Sequence, residues 1–434
     1  MKRNFIKVSA VLLVGAAVYA TAACAKEEAL DTNLIHKDQG VEKVVNLFTP
    51  VEKSNPNAGN VARTAQEISI MEAEEKLNLR VEYRSYTAED YKEKTYDDVA
   101  LDRVRSNMDD VYLLNPDTIQ VLGAEGQLAD LSGLDNVKNL REVVKAANMV
   151  NGKLVAIPQE VVSYGLFVNQ DMFDDYDLEL PQTPDDLLEC CRVFKKNGIE
   201  TPIGANRWWL ENFVLAQAYA DLYNGDTTDE EIAALNSGEA KYSDYMRAGF
   251  EYLQELIDLE YIDAETAYTY EAIEGEGPDF LAQKTPIVMA YWAAANADTA
   301  YGDVDFNLQV IGFPTKLGQM PVVSMNGYGV GVKAEHLEDA MDMMNVLMSD
   351  QTLQTYADTN QVISPSKNVE VDCRDALKPL NAKINEGVYV LGSNANMKLE
   401  QWGNTCLIVR SLLKGASVDE CMAEFDKLQA ETLQ

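Results

Sequence analysis

Four tryptophans, Trp208, Trp209, Trp292 and Trp402, are the residues of this 434-residue chain whose chemistry is easiest to name. A flat aromatic face stacks on the apolar C–H face of a pyranose ring, and planar Asn, Asp, Glu and Arg side chains bond its hydroxyls. Each Trp is equally readable as core filler. The polar candidates sit where apolar segments end: Thr49 in Phe48-Thr49-Pro50, and Asn115 and Asp117 in Asn115-Pro116-Asp117. There, too, a second reading stands, because Asn and Asp suit a helix N-cap and Thr suits a turn. Asn326 and Tyr328 flank Gly327, and Asn-Gly is by itself a turn signal. Arg207 is a weaker candidate, since an exposed Arg is usually solvated.

Catalytic chemistry finds less support. The two histidines, His36 and His336, leave little room for a His-rich metal site or a conventional triad. GxSxG, HExxH and P-loop patterns do not occur. Paired carboxylates cut glycosidic bonds in hydrolases, but among 71 acids some pair will always look suitable. Against those 71 stand 36 Lys and Arg, a net charge of −35, so a polyanion such as nucleic acid would meet a repulsive field. Hydrophobic residues at 47% with 25% charged is globular usage. The expectation is a binding protein without catalytic residues, cofactor or metal.

The N-terminus addresses the chain outward. Lys2, Arg3 and Lys7 precede the apolar run Val8–Val18, which is too short to span a bilayer, and small residues follow it. Ala23-Cys24-Ala25 fits a simple cleavage site. Ala22-Ala23-Cys24 also resembles a bacterial lipobox, with Thr21 where Leu or Val is preferred, and the polar Lys26-Glu27-Glu28 that follows suits a tether. On that reading residues 1–23 are a signal peptide, Cys24 is lipidated, and 24–43 is a lipid-anchored tether; two acyl chains make a stable anchor. No later stretch of about 18 consecutive apolar residues occurs. Cys190, Cys191, Cys373, Cys406 and Cys421 show no CxxC spacing and read as buried free thiols, with a Cys373–Cys406 bridge as the open alternative.

The elements that must position these residues alternate. Val44–Phe48 reads as a strand, Thr64–Leu77 as an amphipathic helix, Leu79–Tyr83 as a strand, Tyr91–Met108 as a helix and Asp110–Leu114 as a buried strand. This β-α-β-α-β order predicts an open sheet with helices on both faces, and ligands at the carboxyl ends of its strands. Leu154–Pro158, Leu166–Asn169, Pro286–Tyr291, Leu308–Phe313 and Tyr328–Val332 read as further strands. Thr183-Pro184-Asp185-Asp186 opens a helix that Gly198 ends, Thr228 caps another, and Glu335–Met348 and Ser417–Ala430 are periodic helices.

Several segments, in order, resemble the extracellular solute-binding proteins of bacterial ABC sugar importers, the maltose-binding-protein-like family. They are Asp109–Leu113 followed by Gly126–Leu131, Asn151–Pro158 followed by Leu166–Phe173, Pro181–Leu188 followed by Lys196–Ile203, Phe280–Trp292, and Asn326–Val332. Val168 replaces a usual Tyr, Pro184 a Trp and Gln283 a Gly. The resemblance implies an α/β, two-lobed fold of the periplasmic-binding type, each lobe an open sheet flanked by helices. The N-lobe would hold 44–160 plus 316–350 and the C-lobe 161–315 plus 351–434, with crossings near 159–164, 312–317 and 350. It implies a mono- or oligosaccharide bound between the lobes, closure about the hinge, and delivery to the membrane permease by a monomer attached through lipid alone. All four Trp would fall on cleft-facing segments. One of Trp208 and Trp209 would face ligand and the other the core, and Thr49, Asn115, Asp117, Trp292, Asn326, Tyr328 and Trp402 would complete the site. A non-sugar solute (polyamine, peptide or metal chelate) and a secreted glycoside hydrolase are the other readings.

Overall fold

The helical pattern before Leu77 folds because both of its ends are chemically closed. In the computed structural model, which describes residues 43–50, 64–87, 94–207, 209–269, 273–290, 304–360, 362–371 and 375–434, helix α1 (Ala65–Leu77) starts on Thr64. Thr64 Oγ1 accepts the Glu67 N–H at 3.2 Å, and Glu67 Oε2 accepts the Thr64 N–H at 3.0 Å. Asn78, at φ 49°, ends the helix. A cap of this kind contributes about 1 kcal/mol. The same reciprocal box, Thr95 with Asp98, starts α2 (Tyr96–Arg105), so the helix predicted from Tyr91 begins at Tyr96.

The first lobe is built on four strands. β1 (Lys43–Thr49) pairs in parallel with β2 (Leu79–Ser85) from Lys43↔Leu79 to Thr49↔Ser85, and with β3 (Val111–Leu114) on its other side. Helix α3 (Pro116–Ala124) leaves the end of β3, with Pro at its first position. Val45, Leu47, Val81 and Val111 are buried in one apolar cluster with Ile70 and Ala73 of α1.

The second lobe centres on β4 (Val162–Asn169), buried along nearly its whole length. Then come α4 (Pro184–Lys196), capped by Thr183 and Asp186, β5 (Ile203–Gly204), α5 (Leu210–Asn224), α6 (Tyr242–Asp258), β6 (Ile287–Ala290) and β7 (Leu308–Ile311). β4 is antiparallel to both β6 and β7, one on each side. It starts earlier than the apolar run at Leu166 suggests, because Ser163 and Gly165 belong to it. A Cβ on Gly165 would sit 2.2 Å from the Ile311 carbonyl oxygen, so β7 approaches β4 only because that side chain is absent.

Two strands a few residues apart then serve different sheets. β8 (Val322–Ser324) pairs with β4, whereas β9 (Gly327–Val330) pairs with β3, giving a first sheet ordered β9-β3-β1-β2. The passage between lobes therefore falls at Met325-Asn326, and residues 322–324 of the segment assigned to the N-lobe from 316 onward belong to the second sheet. An earlier passage lies at Pro158–Val161: Ile157 bridges to Tyr328, and Val161 bridges to Ile363. The strand predicted over Leu154–Pro158 is reduced to a short hairpin at Lys153-Leu154 and that bridge, and Pro158, with no N–H to offer, ends the pairing. Helices α7 (Leu337–Leu347) and α8 (Asp350–Asn360) follow, and both pack on α1. β10 (Val390–Leu391) extends the second sheet beside β8, and α9 (Trp402–Leu413) and α10 (Val418–Thr432, capped by Ser417 and Glu420) close the chain. Cys190, Cys191, Cys406 and Cys421 are free thiols; Cys373 and Cys24 lie outside the described residues.

Candidate functional site

The predicted residues separate into those that meet at the junction of the lobes and those that do not. Thr49 is fully buried at the end of β1, where its hydroxyl accepts from Gln66 Nε2 at 3.3 Å, and Tyr328 reaches the same Gln66. These two, from two strands of the first sheet, are brought together on Gln66 of α1. Trp209 is packed in the second lobe's core with Leu210, Phe213 and Val214. Asn326 is half-buried at the passage between lobes. Trp208 and Trp292 lie outside the described residues. Arg207 is engaged with Tyr268, donating to its carbonyl oxygen at 2.9 Å and lying over its ring at 5.4 Å.

Asp117 and Trp402 do meet. Asp117 stands in the first turn of α3, and its carboxylate crosses to the second lobe. Ser393 Oγ donates to Oδ1 at 2.6 Å, and the Gly403 N–H donates to Oδ2 at 3.1 Å. Gly403 lies in the first turn of α9, so the acid sits at a helix N-terminus, where orphan amides and the helix dipole both favour it. A Cβ on Gly403 would come within 3.2 Å of Oδ2, which makes the bare backbone part of this contact. Asn115, buried beside it, donates to Asp97 Oδ1 at 2.8 Å, and Thr118 Oγ1 donates to the same oxygen at 2.9 Å.

Next to Gly403, the half-buried Trp402 is fixed from beneath. Its Nε1–H donates to Glu211 Oε1 at 2.8 Å, and Asn212 Nδ2 donates to the same oxygen at 2.8 Å. The indole is tilted by 51° against Tyr164 at a centroid distance of 6.1 Å. An aromatic pair from β4 and α9 therefore stands beside an acid from α3. Planar polar groups beside a ring can hold a polyol. A separate cavity of about 500 Å³ lies on the first lobe between Leu128, Val155, Val332, Leu337 and Met341; none of the predicted residues lines it.

Sequence comparison decides the family. The model of the bacterial extracellular solute-binding proteins matches residues 58–353. The chain belongs to this family. No curated protein matches it in sequence. A family 1 extracellular solute-binding protein from Bifidobacterium longum subsp. infantis shares the fold with a TM-score of 0.71 at 14% identity, over 90% of this chain and 100% of that one. RafE from Streptococcus pneumoniae, in its apo form, gives 0.68 at 14% identity over 92% and 100%. A Bacillus licheniformis sugar transporter in complex with stachyose gives 0.64 at 17% identity over 90% and 100%. The mixed α/β fold and the family resemblance read from the sequence are thus those of an extracellular solute-binding protein.

In this solute-binding protein the junction is rich in acids that burial holds toward their neutral form. Glu211 is pushed up to about 8 by burial, opposed by its own backbone N–H, by the Trp402 hydrogen bond and by Arg410. Burial raises Glu400 to about 7, with the charges of Asp117 and Asp97 adding to it, and Asp97 to about 6. Asp117 is raised by burial and pulled back by Ser393 and Gly403. Glu160, at the earlier passage between lobes, is raised by burial to about 7. Among the described residues no group of three or more His, Cys, Asp or Glu is arranged to hold a metal ion. Sequence reasoning missed Tyr164, Glu211, Ser393, Glu400 and Gly403. One of them left a signal: Glu211 is the only charged residue between Arg207 and Asp221, and the run Phe213-Val214-Leu215-Ala216 follows it.

Proposed function

We propose that this solute-binding protein is the capture component of an ABC importer, taking a mono- or oligosaccharide between its lobes and delivering it to the membrane permease. The observation that carries the reading is the junction of Asp117 with Gly403, beside a Trp402 held on Tyr164: a hydroxyl-binding acid from one lobe and a stacking platform from the other. Support comes from RafE, solved with raffinose, and from relatives of the same fold named for stachyose and chitin oligosaccharide. Thr49, Asn115, Trp208, Trp292, Asn326 and Tyr328 belong to this proposal as further lining residues. So do the lobe limits 44–160 plus 316–350 and 161–315 plus 351–434, amended so that Val322–Ser324 goes with the second lobe, whose sheet it joins, and Asp350–Asn360 with the first, on whose α1 it packs. The protein acts outside the cell as a monomer, anchored through a lipidated Cys24, or in the periplasm where an outer membrane is present, and catalyses nothing. Among the described residues no helix is long and apolar enough to cross a membrane.

Raffinose, stachyose, galactose, acarbose and chitin oligosaccharides test the reading by intrinsic tryptophan fluorescence and melting temperature. At least one is expected to give a saturable fluorescence change and a higher melting temperature. If the whole panel leaves both unchanged, the carbohydrate assignment is wrong. A second reading, a cationic solute such as a polyamine, is favoured by the proximity of Asp97, Asp117 and Glu400. Spermidine in the same assay separates the two.

A further inference from the structure

We propose that Glu211 is a positioning residue: its buried carboxyl fixes the orientation of the Trp402 ring, and so decides which indole face the cleft presents. The inference rests on the reading that Trp402 stacks on ligand. An indole at the first residue of a helix, half-buried, packs against the second lobe's core and touches Tyr164 at a tilt, and apolar packing of this kind is not directional. The directional restraint is the Nε1–H bond to Glu211 Oε1. Glu211 can impose it because it is itself immobile. It is 0% exposed, it stands in the first turn of α5 among Leu210, Phe213 and Val214, and α5 packs on α9. Its Oε1 takes a second donor from Asn212.

The acid is also costly where it is. A fully buried carboxyl loses hydration that its neighbours only partly replace. Among the described residues Oε2 finds no hydrogen-bond partner. Leu or Met would fill the space at less expense, so a core requirement does not account for Glu211. Neutralising Arg410, the cation whose charge acts on it from α9, is the competing role. The two roles differ in what they need. Orientation needs an acceptor oxygen, whereas neutralisation needs the charge.

Glu211→Gln keeps the acceptor and drops the charge; Glu211→Leu drops both and keeps the bulk. In ligand-free protein, the near-UV circular dichroism of Trp402, taken as wild type minus Trp402→Ala, is expected to persist in Glu211→Gln and collapse in Glu211→Leu. Raffinose, stachyose and a chitin oligosaccharide are titrated in parallel. For any that binds, Glu211→Leu is expected to weaken affinity about tenfold, with Glu211→Gln within about twofold of wild type. In the Trp402→Ala background, Glu211→Leu should add nothing. Trp402→Phe, which keeps a ring and lacks the N–H, gives the same answer should Glu211→Leu not fold: it should also weaken binding. An unchanged Trp402 band in Glu211→Leu, equal losses in the Gln and Leu variants, or additive losses with Trp402→Ala would each overturn the proposal. A Trp402→Ala variant that binds normally sinks the stacking assignment instead, and the dichroism still decides the positioning.

Discussion

The two halves of the junction each bury an acid, and they hold it differently. On the first lobe, both oxygens of Asp117 are bonded, one to Ser393 and one to the first-turn amide of Gly403. That acid is stabilised by partners on the other lobe, so its environment exists only while the lobes are together. On the second lobe, Glu211 takes two donors on one oxygen, both from its own lobe, and is shielded whether or not the lobes meet. One carboxyl is a fastener between bodies and the other a fixture within a body. Chemically similar side chains acquire these roles from what surrounds them.

The largest expected effect that tests this contrast is the pH dependence of stability. Glu211 is raised to about 8, Glu400 to about 7 and Asp97 to about 6, all mainly by burial. For each, the native state binds the proton more tightly than the unfolded chain. Stability is then fully present below the unfolded carboxyl range and is lost as pH rises through the native values. Asp110, held low by bonds from Asn46 and His336, acts in the opposite sense and only in acid, outside this window. The melting temperature should therefore fall between pH 5 and pH 9 by the equivalent of several kcal/mol, with about 4 kcal/mol from Glu211, the most displaced of the three, at about 1.36 kcal/mol per pKa unit. Glu211→Gln should flatten a good part of the fall. A level profile, or a Gln variant that tracks the wild type, would show that Glu211 is not the shielded acid described.

Much of the fold is written locally, and most of the site is not. Thr64 with Glu67, Thr183 with Pro184 and Asp186, and Ser417 with Glu420 announce helix starts within four residues, and each start lies where those signals put it. The strand exits at Thr49 and Asn115 were readable for the same reason. Asp117 and Trp402 could each be singled out by residue type and place. Their partners could not, because Asp117 meets Gly403 across 286 positions of chain and Trp402 meets Glu211 across 191. Nothing near Trp402 encodes an acceptor, and nothing near Asp117 encodes an amide from another lobe. Trp209 shows the converse: its type suited a ligand face, and its place at the N-cap of α5 put it in the core.

Ligand affinity breaks the comparison next. Trp402→Ala removes the platform and leaves the fastener, and should weaken carbohydrate binding by about 2 kcal/mol, roughly thirtyfold. Trp209→Ala, in the same lobe but buried, should lower the melting temperature and leave the affinity of the folded fraction nearly unchanged. Isothermal titration beside a thermal melt distinguishes them. If Trp209→Ala loses affinity as steeply as Trp402→Ala, the second lobe's aromatic residues do not divide into platform and core.

The smallest effect, and the sharpest for the fastener, concerns closure without ligand. Asp117→Ala deletes two bonds between the lobes and leaves the Gly403 N–H and the Ser393 hydroxyl to water. Bonds to a charged group contribute more than neutral ones, but both donors regain water when the lobes part. The closing equilibrium should shift by about 1.5 kcal/mol toward the open form. Small-angle scattering of ligand-free protein should then give a larger radius of gyration for Asp117→Ala. Ser393→Ala, which deletes one bond of the two, should give an intermediate value, and Glu211→Gln should give the wild-type value. A radius that grows in Glu211→Gln and not in Asp117→Ala would reverse the assignment: the acid inside the second lobe would then be holding the lobes together, and the one that bridges them would be incidental to closure.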